Sequence, residues 1–324
     1  MLFINLASQN PYFNLACEEY FLENFLEDIF MLWQNDNTIV IGRNQNTFSE
    51  INYDYVKENN IKVVRRMSGG GAVYHDLGNI NFTFIKNSDS LFSDYKTFTK
   101  PIIDFLKTLG VCATLSGRND ILIDGKKISG NAQFTKNGRI LHHGTLLFSS
   151  QSDVLSNALT VSEDKIKSKG VKSVKSRVAN ISEYLKEPMT SLEFRKRLAE
   201  FTVKNEGIFE EYDISGHIEE IEKLARSKYE TWEWNFGYSP KYDFCKKERF
   251  PFGSVEVNLH IQDGIIKDAK IYGDFFSKKP IDELSALLCG LKHKKEELEQ
   301  VLSLKDIDDY ISGINLSEFL ELLF

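Results

Sequence analysis

At 324 residues, with 42% hydrophobic and 12% aromatic side chains, the chain has enough apolar material for one large domain, or for a large one with a smaller companion. A formal net charge of −7 argues against a general nucleic-acid binder, which is normally basic. Four cysteines, at 17, 112, 245 and 289, form no Cys-x-x-Cys pair, so they read as reduced thiols of a cytoplasmic protein and not as a disulfide framework or zinc site.

A strand is predicted over Leu2 to Leu6, then a helix capped by Asn14, in which Leu15, Phe21, Leu22, Phe25 and Leu26 recur at helical spacing. Acids break the Phe21–Glu27 stretch and no basic segment precedes it, so it is neither a membrane span nor a signal peptide. Met31–Trp33 and Thr38–Ile41 read as strands joined by the turn Asn35-Asp36-Asn37, and Tyr53 to Asn60 as a short helix. Ile61 to Arg66 is a strand that ends in an arginine pair and runs into Met67-Ser68-Gly69-Gly70-Gly71. Glycine has no Cβ, so this run can turn sharply and bring backbone N–H groups to an anion. The two guanidiniums add fixed charge and paired donors. Together they suggest a cradle for a nucleotide or an acyl phosphate; a plain flexible turn is the competing reading.

The familiar phosphate loops do not fit, because both the Walker loop and the dinucleotide fingerprint open a helix. Here Ala72-Val73-Tyr74 and Asn81–Ile85 alternate as strands, so arginines and a lysine must do the neutralising without a helix dipole. Tyr95 to Leu109 has helical periodicity and ends at Gly110, a C′ glycine. A meander follows: Ile121–Ile123, the turn Asp124-Gly125, Lys126–Phe134, the turn Lys136-Asn137-Gly138, and Arg139–Phe148. Strict alternation puts Lys127 on one face with Ser129 and Asn131, and Lys126 on the other with Ile128 and Ala132. His142 and His143 fall on opposite faces of the next strand, with no third His or Cys nearby for a metal. There is no Gly-x-Ser-x-Gly elbow for a serine hydrolase.

Residues 160 to 180 are basic and serine-rich, which suggests an exposed loop or short helices. Ser191 to Lys204 and His217 to Tyr229 read as amphipathic helices, and Trp232 to Gly237 marks a junction. Beyond it, Ser254–Ile261 and Ile265–Tyr272 form a hairpin around Gln262-Asp263-Gly264, with helices near 281–292, 294–303 and 315–323. The expected fold is α+β: a catalytic domain over 1–243 with mixed and antiparallel sheets flanked by helices, and a small C-terminal α/β domain over 244–324.

With these segments in hand, the chain resembles the lipoate–protein ligases, within the larger group that includes biotin–protein ligases. The matching pieces are Asn10 to Glu19, Ile41 to Asn46, the arginine–glycine stretch through Phe84, Gly117-Arg118-Asn119-Asp120, Lys127-Ile128-Ser129-Gly130, His142 to Leu146, Gly170 to Val178 and Trp232 to Gly237. The resemblance implies ATP-dependent activation of (R)-lipoate, or octanoate, to an acyl-adenylate. The acyl group then passes to a lysine of an acceptor such as glycine-cleavage H protein or a lipoyl domain of a 2-oxoacid dehydrogenase. It implies Lys127 as the catalytic lysine, acting electrostatically at the α-phosphate and acyl carbonyl. It also implies Arg66, Gly71, Ala72, Val73, Tyr74, Asn119 and Asp120 as nucleotide-binding. Arg65, Ser68, Gly69, Gly70, His75 and His143 are implied to contact lipoate, and Asp120 to hold Mg²⁺, a hard ion suited to carboxylate and phosphate oxygens. The basic stretch Lys165 to Arg177 resembles the family's adenylate-closing loop, while Trp232 and Trp234 read as packing residues. Ser176 follows Lys175 where many relatives have arginine.

The rival enzyme is an ATP-independent octanoyl or lipoyl transferase of the same fold, which needs an acyl-accepting cysteine. Cys112 reads as part of a buried strand and is inert on that reading. A biotin ligase fits less well, because the loop Ser68–Ala72 carries no basic residue and no helix-turn-helix precedes it. A binding protein without catalysis would have no need of Lys127.

Overall fold

The computed structural model describes residues 1–45, 47–117, 119–159, 177–207, 210–236, 244–262 and 265–324. The chain divides into two compact units, one of residues 1–40, 51–64 and 73–231, the other of residues 41–50, 65–72 and 232–324.

The first unit is built on a seven-stranded sheet. Its strands are β1 (Leu2–Asn5), β2 (Ile29–Trp33), β6 (Asn79–Lys86), β7 (Thr114–Ser116), β8 (Asp120–Ile123), β9 (Lys126–Lys136) and β10 (Arg139–Leu147), in the order β1–β2–β6–β10–β9–β8–β7. β1 and β2 run parallel and the remaining neighbours antiparallel, so the sheet is mixed. Both predicted hairpin turns have left-handed backbone at both central residues: φ is 49° at Asp124, 75° at Gly125, 52° at Asn137 and 73° at Gly138. That is the turn geometry whose twist matches paired strands. A smaller sheet has the order β4–β3–β5, with β3 (Thr38–Ile41), β4 (Lys62–Arg65) and β5 (Val73–His75). The predicted turn at Asn35–Asn37 therefore passes from the large sheet to the small one and closes no hairpin.

β6 is buried along almost its whole length, yet its two faces differ in chemistry. Ile80, Phe82 and Phe84 point into a core shared with Phe30, Leu32, Ile121, Ile128, Ile140 and Leu146. Helices Tyr95–Thr108 and Ser191–Asn205 cover this face through Phe98, Ile102, Phe105, Phe194 and Leu198. Each of these buried side chains contributes about 1.5–3 kcal/mol. Asn79, Asn81 and Thr83 occupy the opposite face, which helix α1 (Pro11–Asn24) covers by way of Glu18.

The structure corrects the predicted start of α1. Asn10 is the cap, its Oδ1 accepting from the Tyr12 N–H at 3.1 Å, and Pro11 takes the first helical position. Asn14 is buried inside the helix and donates to Ser8 O, Gln34 O and Asn35 Oδ1. Leu26 lies beyond the helix end and is 81% exposed, so it belongs to no apolar stripe. Cys112 is exposed and outside any strand, whereas Cys17 in α1 is buried, with burial and then Glu18 pushing its thiol well above the ordinary range.

In the second unit, the predicted hairpin is present as β12 (Gly253–Gln262) and β13 (Ile265–Gly273). Its turn residues 263–264 lie outside the described residues. A third strand, β11 (Phe244–Phe250), pairs with β12 along its whole length. Its Lys-Lys-Glu-Arg run hides the strand from an apolar-alternation reading, and charge is how exposed edge strands are commonly protected. Helices Ile281–Leu288, Lys295–Leu302 and Leu316–Glu321 pack on this sheet through Leu284, Leu288, Leu298, Leu302, Phe319 and Leu320.

Candidate functional site

The sheet face opposite the main core carries three of the first unit's predicted site residues, Asp120, Lys127 and His143. Lys127 lies on it because β9 is irregular. Ile121 pairs with Ser129 but the next residue, Leu122, pairs with Lys127, so Ile128 is an extra residue without a ladder partner. This bulge cancels the alternation predicted for the strand: Ser129 and Asn131 face the core side with Ile128, while Lys127 lies over Gly130 on the other. The Lys127 ammonium is 2.7 Å from Asp120 Oδ1, and both side chains remain 36% exposed. A Cβ at Gly130 would come within 2.9 Å of Lys127 Nζ, so the glycine leaves the room that the ammonium occupies. Thr145 Oγ1 accepts from the Gly130 N–H at 3.1 Å and fixes this floor. The main chain of Lys127 is held as well, donating to Arg177 O at 2.8 Å and accepting from Ala179 N. Arg177 is the only residue of the predicted closing loop Lys165–Arg177 among the described residues.

The two adjacent histidines have opposite surroundings. His142 is fully buried on the core side, stacked on Phe98 with ring centroids 4.7 Å apart. Its Nδ1 faces Gln133 Nε2 at 3.1 Å and its Nε2 faces Asn131 Oδ1 at 3.2 Å. Burial, and then the neighbouring His143, hold its pKa well below the usual histidine value, so it is neutral. Asn131 in turn donates to Asn119 O, and Asn119 Nδ2 donates to Asn131 O at 2.6 Å. This predicted nucleotide-binding asparagine therefore secures the start of β8, next to Asp120.

His143 lies on the other face, 3.1 Å through Nδ1 from Glu18 Oε1, an almost wholly buried carboxylate of α1. Thr83 Oγ1 donates to the same oxygen at 2.5 Å and accepts from Trp33 Nε1–H at 2.9 Å. His75 is buried near this face, its Nδ1 3.2 Å from Asn35 Nδ2. Glu18, Thr83 and Trp33 escaped the sequence reading. The available signal was polar Asn79, Asn81 and Thr83 alternating along a strand otherwise rich in Ile and Phe, which marks a buried polar face.

In the second unit, the arginine pair serves the protein's own backbone. Arg65 is completely buried and donates to the carbonyls of Gly42, Arg43, Gln45, Trp234 and Asn235 and to Thr47 Oγ1. It holds Gly42, Arg43, Gln45 and Thr47 in place, with these donors spent on internal oxygens. Arg66 threads the glycine run, donating to Ser68 Oγ at 3.1 Å, Gly69 O at 2.7 Å and Gly71 O at 2.9 Å. Gly70 has φ of 93°, and its N–H donates to Phe275 O. A Cβ at Gly42 would meet Gly70 O at 1.9 Å, so these two backbones can approach only as glycines. Trp234 packs under Arg43 at 4.7 Å, whereas Trp232 is 58% exposed and does not share the packing role expected of it.

Gly71, Ala72, Val73 and Tyr74 are all partly exposed, a stretch whose backbone a ligand can reach. The Tyr74 hydroxyl, pushed up to about 12 chiefly by burial, stays protonated and donates to Asn37 Oδ1 at 3.1 Å. Among the described residues no group of three His, Cys, Asp or Glu could hold a metal. No helix among them is long and apolar enough to cross a membrane.

Residues 10–202 match the lipoyl protein ligase A/B catalytic domain, and residues 239–323 match the bacterial lipoate protein ligase C-terminus. The chain is 46% identical to the lipoate-protein ligase LplJ of Bacillus subtilis, over 100% of both chains. A solved structure of P. falciparum LipL1 in complex with lipoate has a TM-score of 0.82 at 29% identity, covering 99% of this chain and 97% of that one. One of lipoate-protein ligase A bound with ATP has a TM-score of 0.64 at 30% identity, covering 73% and 98%.

Proposed function

The chain belongs to the lipoyl protein ligase A/B family, and from that membership we propose that it joins lipoate to ATP as lipoyl-AMP and passes the lipoyl group to an acceptor lysine. The observation that carries the reading is the Lys127 ammonium, poised above Gly130, 2.7 Å from the Asp120 carboxylate and still accessible. When a carboxylate attacks the α-phosphate, negative charge builds on oxygens that water would otherwise solvate. A preorganised ammonium offsets it at no reorganisation cost, an effect commonly worth about 10²–10³ in rate. Lys127 is the catalytic residue on this reading, and Asp120 holds it in place until phosphate oxygens arrive.

Asp120, Asn119, Arg66 and Gly71–Tyr74 bind the nucleotide. Ser68, Gly69, Gly70, His75 and His143 contact the acyl group. A lone carboxylate suits Mg²⁺, which keeps several waters and is shared with substrate phosphates. Asp120 would hold the ion, and its charge would help neutralise the phosphates. Residues 1–243 form the adenylating and acyl-transfer part and 244–324 an accessory part. The acceptors are glycine-cleavage H protein or lipoyl domains of 2-oxoacid dehydrogenases, and the use of ATP supports a cytoplasmic location.

Lipoate-dependent exchange of pyrophosphate into ATP tests the reading. The chain should catalyse it, and Lys127→Ala should lose at least about 100-fold. Acyl transfer that needs no ATP and disappears on Cys→Ser substitution would establish the transferase instead.

A further inference from the structure

Resting on the ligase reading, we propose that His143 is the general base of the second half-reaction, held by Glu18 as a carboxylate–imidazole dyad. The acceptor lysine must attack as a neutral amine and shed a proton as the amide forms, so a base near the acyl carbonyl speeds transfer by about 10²–10⁴-fold. The polar sheet face supplies one candidate in the right setting. His143 turns Nδ1 to the Glu18 carboxylate at 3.1 and 3.2 Å. Nδ1 therefore carries the hydrogen and the basic lone pair of the neutral ring is on Nε2. Glu18 is itself fixed by the Thr83 hydroxyl, which in turn is oriented by Trp33. The Glu18 side chain is 1% exposed and that of His143 10%, so of the pair the imidazole is the more open to a reactant.

The dyad shares a face with the catalytic lysine. His143 pairs with Ala132, and Gly130, the floor beneath Lys127, lies two residues along β9 on the same side, about 7 Å away at strand spacing. An anhydride carbonyl near the Lys127 ammonium thus falls within reach of an amine that also touches His143.

In the step, the acceptor ammonium first releases one proton to solvent. The amine nitrogen bonds to the carbonyl carbon while Nε2 takes the second N–H proton. The carbon–oxygen bond to phosphate breaks and AMP leaves with its electron pair. The imidazolium formed is stabilised by Glu18 and returns its proton to solvent. Glu18 touches no reacting atom and is a positioning residue.

Several other ionisable groups approach His143. Glu18 comes from α1, with the Glu19–Lys228 pair beside it. Lys127 and Asp120 lie further along the sheet face, His142 lies behind, and His75 lies beyond the Trp33 ring.

The test is single-turnover transfer from preformed lipoyl-AMP to a lipoyl domain across pH 5.5–9, beside lipoate-dependent pyrophosphate exchange. The wild-type rate of transfer should break within this range. His143→Asn should lose about 100-fold or more in transfer and lose the break, and imidazole should restore transfer to His143→Ala. Glu18→Gln should move the break to lower pH, since the neutral amide no longer favours the imidazolium. Transfer by His143→Asn with the wild-type break, or a loss in His143→Ala that imidazole does not relieve, would overturn the proposal. A wild-type chain that neither exchanges pyrophosphate nor transfers would bring down the ligase reading, and the dyad with it.

Discussion

The arginine–glycine segment of the second unit and the lysine hairpin of the first look alike in sequence, each setting basic residues beside glycine. In space they do opposite things. Arg65 has no exposed surface and donates to five carbonyls and a hydroxyl, so its charge is consumed in holding backbone together. Among the described residues Lys127 has one carboxylate partner, a glycine floor and more than a third of its side chain open to solvent. A cation is free for chemistry only where the protein leaves it short of partners.

The contrast is sharpest where each cation or its floor is altered. Arg65→Met should be the most damaging change to the fold. The carbonyls of Gly42, Arg43 and Gln45 lose their common donor, each at about 1–3 kcal/mol, for a total of at least about 3 kcal/mol. A thermal melt should drop by roughly 10 °C, and a drop of only a degree or two would show that Arg65 is not structural. Gly130→Ala should do the reverse. The new methyl displaces a flexible side-chain end rather than backbone, so the melt should barely move while pyrophosphate exchange falls about tenfold, or about 1.4 kcal/mol.

The smallest effect concerns the consumed partner of the histidine pair. His142 has its folded pKa held well below the unfolded value of about 6.5, so the unfolded chain binds a proton that the folded chain refuses. Its contribution to stability is therefore complete above that value and is lost as the pH falls below it. The slope is at most about 1.4 kcal/mol per pH unit and flattens once the depressed folded pKa is reached. His142→Phe should remove that component from the stability profile between pH 6.5 and 5, and an unchanged slope would contradict the buried neutral assignment.

Local signals carried much of the fold. Asp124-Gly125 and Asn137-Gly138 announced hairpins because few residues accept left-handed backbone, and both turns have it. Lys127, close behind such a turn, was singled out by the family resemblance and not by its position. What stayed hidden depended on distant contacts or on one broken rule. The bulge at Ile128 reverses which neighbours share a face with Lys127, and no local feature of Lys-Ile-Ser-Gly signals an extra residue. Asn14 looked like a cap because its burial against Asn35 comes from tertiary packing, although Pro11 already pointed to Asn10. The internal acceptors of Arg65 were hidden because they lie up to 170 residues away in sequence. The role of Glu18 was hidden because its partners Thr83 and His143 lie on other elements.

The hydrogen-bonded line from Trp33 through Thr83 and Glu18 to His143 gives the protein a built-in optical gauge. Indole emission responds to the field around its N–H, and Trp33 is the only one of the three tryptophans in the first unit. In a Trp232→Phe, Trp234→Phe background, the remaining fluorescence would report the charge on the imidazole directly, without a label and without waiting for product.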